Sequence, residues 1–299
     1  MQSQPKLQRK LRQLACAVAV PAIAAGSILG GTKPALAEFE IQEADIEKGE
    51  VEIEYRGAYH WGMPEVTEEN ENANDLVQSH EIELEMGISD WWLIQVTGGF
   101  DQALHENLQG SSVEIETEFA MIKRHGDGIA LSFQLGYEQV INNHKHLDDG
   151  EASAFGFGPI VEVASGKFLL TLNPVFNKQI GTFADQQGLG FEYGWRGEYD
   201  FAKHWGVGVE MFGEIEDLSN PGSFNDQNHS IGPTLFWNPS GGENDDETAG
   251  KGDDNDETKG KSKEPEPPET SFSMNVGYQF GLTDATSDGA LKFQGSLSF

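Results

Sequence analysis

The 299-residue chain carries 19 basic against 50 acidic residues, a formal net charge of -31 at pH 7. That balance argues against nucleic-acid binding, which needs a basic face to displace counterions. A single cysteine, Cys16, leaves no disulfide framework and no cysteine-based zinc site, and the length fits one or two soluble domains or one mid-sized barrel.

The first 37 residues read as a cleaved secretory signal. Lys6, Arg9, Lys10 and Arg12 form a positive start, an apolar run follows from Leu14 to Leu29, and Ala35-Leu36-Ala37 supplies small residues for cleavage. The apolar run is short and Ala-rich for a stable helical span of ~20 residues. The expected mature chain begins near Glu38 and lacks cysteine. No later stretch is long and apolar enough for a membrane helix. If the mature chain enters a membrane, it does so as a closed barrel, because lipid cannot satisfy open backbone groups.

From Val51 onward the chain alternates with period two, the strand signature. In 51–61, Val51, Ile53, Tyr55, Tyr59 and Trp61 alternate with Glu52, Glu54, Arg56, Ala58 and His60. The same pattern recurs at 81–88, 113–121, 129–138 and 189–199. Further candidates are 92–100, 154–163, 168–177, 205–215, 229–237, 272–280 and 289–299, which gives about twelve strands. The connections alternate in length. Short turns sit at Ser89-Asp90, Lys123 to Gly128, Ala164 to Lys167 and Asp200 to His204. Long polar loops sit at 62–79, 101–112, 141–152, 178–188 and 217–228. Outer-membrane barrels keep this parity, with short periplasmic turns and longer external loops. Trp91, Trp92, Tyr199, Trp205, Trp237 and Phe299 then fall at one rim, and Tyr59, Trp61 and Phe100 at the other, as two interface girdles. Residues 239–270, dense in Gly, Asp, Glu, Lys and Pro, read as a disordered acidic insertion on the periplasmic side.

In a membrane barrel the apolar row faces lipid and the polar row faces the lumen. The expected lumen-lining residues are Glu52, Glu54, Arg56, Glu81, Glu83, Glu85, Glu114, Glu116, Glu118, Glu138, Glu162, Glu192, Arg196, Glu198, Glu210 and Glu214. So many carboxylates cannot share a dry core, so the lumen is either wet or internally paired. A wet acidic lumen favours cations. Alternatively, Arg56 and Arg196 tie the carboxylates into a network that partly plugs the barrel. A twelve-stranded barrel stands between side-chain-filled barrels of ~8 strands and porins of ~16–18.

Other chemistry is thin. His144 and His146 with Asp148 and Asp149 offer metal-capable groups in an external loop, but such a spacing in an acidic loop is weakly specific. Asp253, Asp254, Asn255, Asp256 and Glu257 lack the fixed spacing of a calcium-binding EF-hand. No nucleophile elbow or phosphate-cradling loop is present, and neither His105 nor His229-Ser230 has the context of a barrel lipase. The expectation is a non-enzyme with no catalytic residues, cofactor or metal; a barrel lipid hydrolase remains a remote alternative.

Two stretches carry a resemblance. The terminal strand, with Leu291, Phe293, Leu297 and a final Phe299, resembles the last strand of bacterial outer-membrane β-barrels, which the assembly machinery reads. Glu81 to Phe100 (EIELEMGISDWWLIQVTGGF), Asn173-Pro174-Val175-Phe176, Phe191-Glu192-Tyr193 and His229-Ser230-Ile231-Gly232-Pro233 resemble outer-membrane proteins described as a meta-pathway of phenol degradation family. The resemblance implies a transporter-like barrel for small organic or aromatic compounds and carries no catalytic residues. The expectation is thus a monomeric, all-β, antiparallel up-and-down barrel in the bacterial outer membrane. It contacts outer-membrane lipid and the assembly machinery and passes small solutes. An adhesive or structural barrel with a plugged lumen is the alternative.

Overall fold

The structure, a computed structural model, describes residues 39–64, 76–141, 152–181, 184, 186–239 and 270–299. The expected signal segment, nearly all of the acidic stretch 239–270, and the His144/His146 group lie outside the described residues.

Twelve strands follow in chain order: β1 (Val51–Trp61), β2 (Leu76–Ser89), β3 (Trp92–Ala103), β4 (Gln109–Ile122), β5 (Gly128–Val140), β6 (Ser153–Ser165), β7 (Phe168–Ile180), β8 (Gly190–Ala202), β9 (Trp205–Ile215), β10 (Asn228–Trp237), β11 (Ser271–Gly281) and β12 (Gly289–Ser298). Each pairs antiparallel with its chain neighbours, and β12 returns to β1 to close the barrel. Closure leaves no open edge, so every strand satisfies its backbone groups on both sides. The seam runs without a break from Glu52 opposite Ser298 to Trp61 opposite Gly289. Just beyond it, Val51 and the terminal Phe299 exchange two backbone hydrogen bonds, each of 3.0 Å. The last residue is therefore part of the closure.

Burial is inverted relative to a water-soluble core. Ile53, Ile82, Ile115 and Ile129 are between 45% and 56% exposed on the outer face, whereas Glu118, Glu138 and Glu210 are at most 2% exposed. The alternation puts aliphatic and aromatic side chains outward and charge inward, as a lipid-facing barrel requires.

The strands run further into the polar loops than the sequence pattern suggests. The expected loop 101–112 shrinks to 104–108, because Phe100 pairs with Gly110 and Asp101 with Gln109 beyond a register shift near Gly98. Likewise β2 starts at Leu76, inside the expected loop 62–79, and β7 continues to Ile180. Backbone pairing needs only N–H and C=O groups, so a polar side chain past the apolar row does not end a strand. The alternation of long and short connections holds except at 104–108, which is as short as the turn 123–127 on the other rim. Trp91, Tyr199 and Trp205 lie exposed at the short-turn rim, and Tyr59, Trp61 and Phe100 at the other. Trp92 is half-buried, with its indole Nε1 donating to Thr117 Oγ1 at 2.7 Å.

Candidate functional site: a charged lumen threaded by the N-terminal segment

The expected lumen residues are buried or half-buried and alternate with the more exposed apolar positions of the same strands. Pairing register then sorts them into two walls. On the first wall, Arg56 stands opposite Glu81, Glu54 opposite Glu83 and Glu52 opposite Glu85. Glu116 stands opposite Gln95, and Glu114 opposite both Thr97 and Glu138. On the second wall, Arg196 stands opposite Glu210 and Glu192 opposite Glu214.

The feature that the strand pattern does not announce is the chain before β1. Residues 39–48 descend through the lumen, from the long-loop half towards the short-turn rim, and reverse at 47–50 to enter β1. Phe39 sits highest, stacked on the His60 ring at 5.6 Å and edge-on to Phe212 at 5.2 Å. The ammonium of Lys292 donates to the Phe39 carbonyl at 3.3 Å and lies over the Phe212 ring. Below it, Glu40 Oε1 accepts from Arg56 Nη1 and from Gln42 Nε2, both at 2.6 Å. Gln42 is clamped through its backbone: its N–H donates to Asn173 Oδ1 at 2.7 Å and its carbonyl accepts from Asn173 Nδ2 at 3.0 Å. Glu43 pairs with Arg196, and Lys123 Nζ donates to the Ile46 carbonyl at 2.5 Å. β1 and β7 lie six strands apart round the ring, so Arg56 and Asn173 hold the segment from opposite walls.

Apolar contacts seat the same segment. Ile41, Ala44 and Ile46 are at most 5% exposed, and Ala44 packs with Ala130 and Ile160 of the inner wall. Two inward glycines clear its path. A Cβ at Gly87 would stand 1.9 Å from the Glu47 carbonyl oxygen, and one at Gly194 would meet Ile41 Cδ1 at 2.7 Å.

The cations are heavily used. Arg56 is buried and contacts Glu40, Glu54, Glu81 and Glu83 at 2.6–3.1 Å. Oxygens of Glu40, Glu54 and Glu83 lie close enough together for a metal ion. The Arg56 guanidinium contacts all three of them. Arg196 reaches Glu198 at 3.6 Å besides Glu43, and its guanidinium lies over the Phe236 ring. Lys292 Nζ pairs with Glu210 at 2.6 Å, and Arg124 with Glu162 at 3.3 Å. Glu52, Glu85, Glu114, Glu116, Glu118, Glu138, Glu192 and Glu214 carry no ion pair among the described residues. Neutral donors serve some of them: Asn177 Nδ2 donates to Glu192 at 2.6 Å, and Asn228 Nδ2 to Glu214 at 3.3 Å. Others retain an unsatisfied oxygen, including Glu116, Glu118 and Glu138. Buried carboxylate oxygens left without a protein partner call for water or a mobile cation.

His60 faces inward, with Nδ1 and Ser287 Oγ 3.0 Å apart. His80 faces outward and shares a hydrogen bond with Tyr55 Oη at 2.9 Å.

Among known proteins, no family model matches the chain, and no curated protein matches it. Solved structures resemble it in shape. The COG4313 outer membrane channel from Pseudomonas putida F1 aligns at 10% identity over 88% of this chain and 100% of its own, with a TM-score of 0.55. The KdgM porin in complex with disordered oligogalacturonate aligns at 8% identity over 83% and 98%, with a TM-score of 0.45. OccD1 (OprD) aligns at 10% identity over 83% and 65%, with a TM-score of 0.36. The first of these is near enough in shape to carry a comparison, and at that identity it speaks to the fold alone. What stands is the closed barrel; membership of the meta-pathway of phenol degradation family is not matched by any model.

Proposed function

We propose that the protein is an outer-membrane barrel that passes small cationic or neutral solutes through its acidic lumen. One observation carries this reading. The inward carboxylates of β2, β4 and β5 outnumber the cations available to them, and several retain an unpaired oxygen. A wall of unneutralised carboxylates in a confined lumen raises the local cation concentration and repels anions. The apolar outer face and the rim aromatics support placement in a bilayer. The transporter-like role implied by the sequence resemblance agrees with this, and nothing in the site singles out one solute.

Conductance across planar bilayers tests the proposal. Under a potassium chloride gradient, the reversal potential is expected on the cation-selective side, and E114Q/E116Q/E138Q is expected to move it towards zero. Anion selectivity, or no current from well-folded protein with or without residues 39–46, would overturn it.

One observation favours a second reading. The segment 39–48 is held from opposite walls, which suits a structural or adhesive barrel with a plugged lumen. Shortening the external connections 62–75 and 141–152 separates the two readings. A surface adhesin loses cell attachment while its solute flux is unaffected, because it had none.

A further inference from the structure

We propose that residues 39–48 are a releasable gate, latched in the lumen by Glu40 on Arg56 and Glu43 on Arg196. The inference rests on the channel reading and adds to it what holds the channel shut. A tail that merely happened to lie in the lumen would not have the wall shaped to it. Here the buried inward cations Arg56, Arg196 and Lys292 all engage the segment. Gly87 and Gly194 leave room only where its backbone and Ile41 pass. Asn173 spends its side-chain amide on the Gln42 backbone, reading main chain rather than side chain. These contacts come from β1, β2, β7, β8 and β12, so the segment cannot be pressed flat on one wall.

The contacts are also of a releasable kind. Most are ion pairs or single hydrogen bonds to groups that keep other partners when the segment leaves. Arg56 retains Glu54, Glu81 and Glu83; Arg196 retains Glu198; Lys292 retains Glu210. Release therefore strands no wall cation, and a group that loses one partner of several is destabilised less than one left bare. The apolar seat of Ala44 and Ile46 lies near the tether, whereas the charged latch lies further up. At the tether, Gly49 adopts φ +86°, and its N–H donates to the Gly87 carbonyl at 2.8 Å. That turn fixes the lower end and makes it the pivot about which the upper part swings.

The test uses the full-length protein in planar bilayers. E40Q/E43Q removes both latch charges and leaves the wall intact. It is expected to raise the open fraction roughly tenfold, the order expected for loss of about one charge-assisted hydrogen bond. A second variant does not depend on weakening anything. In a C16S background, A44C/A130C joins the segment to the wall. The oxidised form is expected to carry less current than the reduced form, and dithiothreitol to restore it. If E40Q/E43Q conducts as the wild type does, and oxidation of A44C/A130C changes nothing, the gate is overturned while the channel reading stands. If no protein conducts, including one lacking residues 39–46, the channel reading fails and takes the gate with it.

Discussion

The two walls of the lumen solve the problem of buried charge differently. On the β8–β12 side, Arg196 and Lys292 serve Glu198, Glu210 and the incoming Glu43, while Glu192 and Glu214 take neutral donors from Asn177 and Asn228. On the β1–β5 side, Arg56 alone serves Glu40, Glu54, Glu81 and Glu83, while Glu52, Glu85, Glu114, Glu116, Glu118 and Glu138 have no cationic partner among the described residues. A wall whose carboxylates each meet a cation or a neutral donor is a structural brace. An unbalanced wall is tolerable only beside water or exchangeable cations, and that asymmetry gives the lumen a functional side.

The largest effect is expected at the overcommitted cation. Arg56→Leu would leave four carboxylates repelling each other around an apolar side chain. Removing one partner of a buried ion pair costs about 3–5 kcal/mol. The loss is expected in that range or above and is measured as the urea midpoint of the barrel refolded in detergent micelles. Arg196→Leu is expected to lose less, because the Glu43 side chain is 57% exposed and Lys292 remains beside Glu210. Equal losses would refute the distinction between the walls.

The next effect is steric. Gly87→Val places side-chain atoms where the Glu47 carbonyl sits, and the 47–50 turn must move. Both the turn and the segment above it are expected to loosen, at about 1–3 kcal/mol by analogy with overpacked cores. Hydrogen exchange of the Gly49 and Gln42 amides reads this directly. Unchanged protection at both positions would show that the turn does not anchor the segment.

E114Q/E116Q/E138Q sharpens the comparison from the other side. These carboxylates have no cationic partner among the described residues, so neutral amides are expected to leave the urea midpoint unchanged or raise it slightly while cation selectivity falls. A marked loss of stability would mean that they are structural after all.

The barrel was legible because lipid imposes a strict rule on sequence. Ile82, Leu84 and Met86 must face outward together, so Glu81, Glu83 and Glu85 must face inward, and the same logic gives the expected inward charges on β1, β4, β5, β6, β8 and β9. The closing contact of Phe299 with Val51 followed from the terminal alternation. Strand ends at Ala103 and Leu76 were not legible, because polar residues above the lipid pair their backbones without an apolar signal. The segment 39–48 was missed for a different reason. FEIQEADIE has no strand partner and no membrane to satisfy, and its contacts join it to Asn173 and Arg196, far along the chain. Only the surplus of carboxylates around Arg56 hinted that the lumen held an internal network.

The smallest effect is expected at the outer rim, where a carboxylate is satisfied by neutral donors rather than by cations. Asp217 follows β9 and accepts from the backbone N–H of Gln187 at 2.7 Å, of Gly188 at 2.9 Å and of Ser219 at 2.7 Å, and from Ser219 Oγ at 2.6 Å. The slight desolvation raises its pKa, but the hydroxyl and amide donors outweigh this and lower it to about 2. The carboxyl is therefore depressed in the folded state. Its contribution is fully present above its ordinary pKa near 3.8 and is lost as pH falls from there through about 2. Asp217→Asn is expected to free connection 216–227 from 187–188 at neutral pH, seen as faster proteolytic nicking there with an unchanged barrel midpoint. Over the same acid window, hydrogen exchange in wild-type connection 216–227 should rise to meet that of the variant. Because these bonds tie one loop to another and none crosses the lumen, current through the barrel should stay as it was; a change in conductance would tie the rim to the gate.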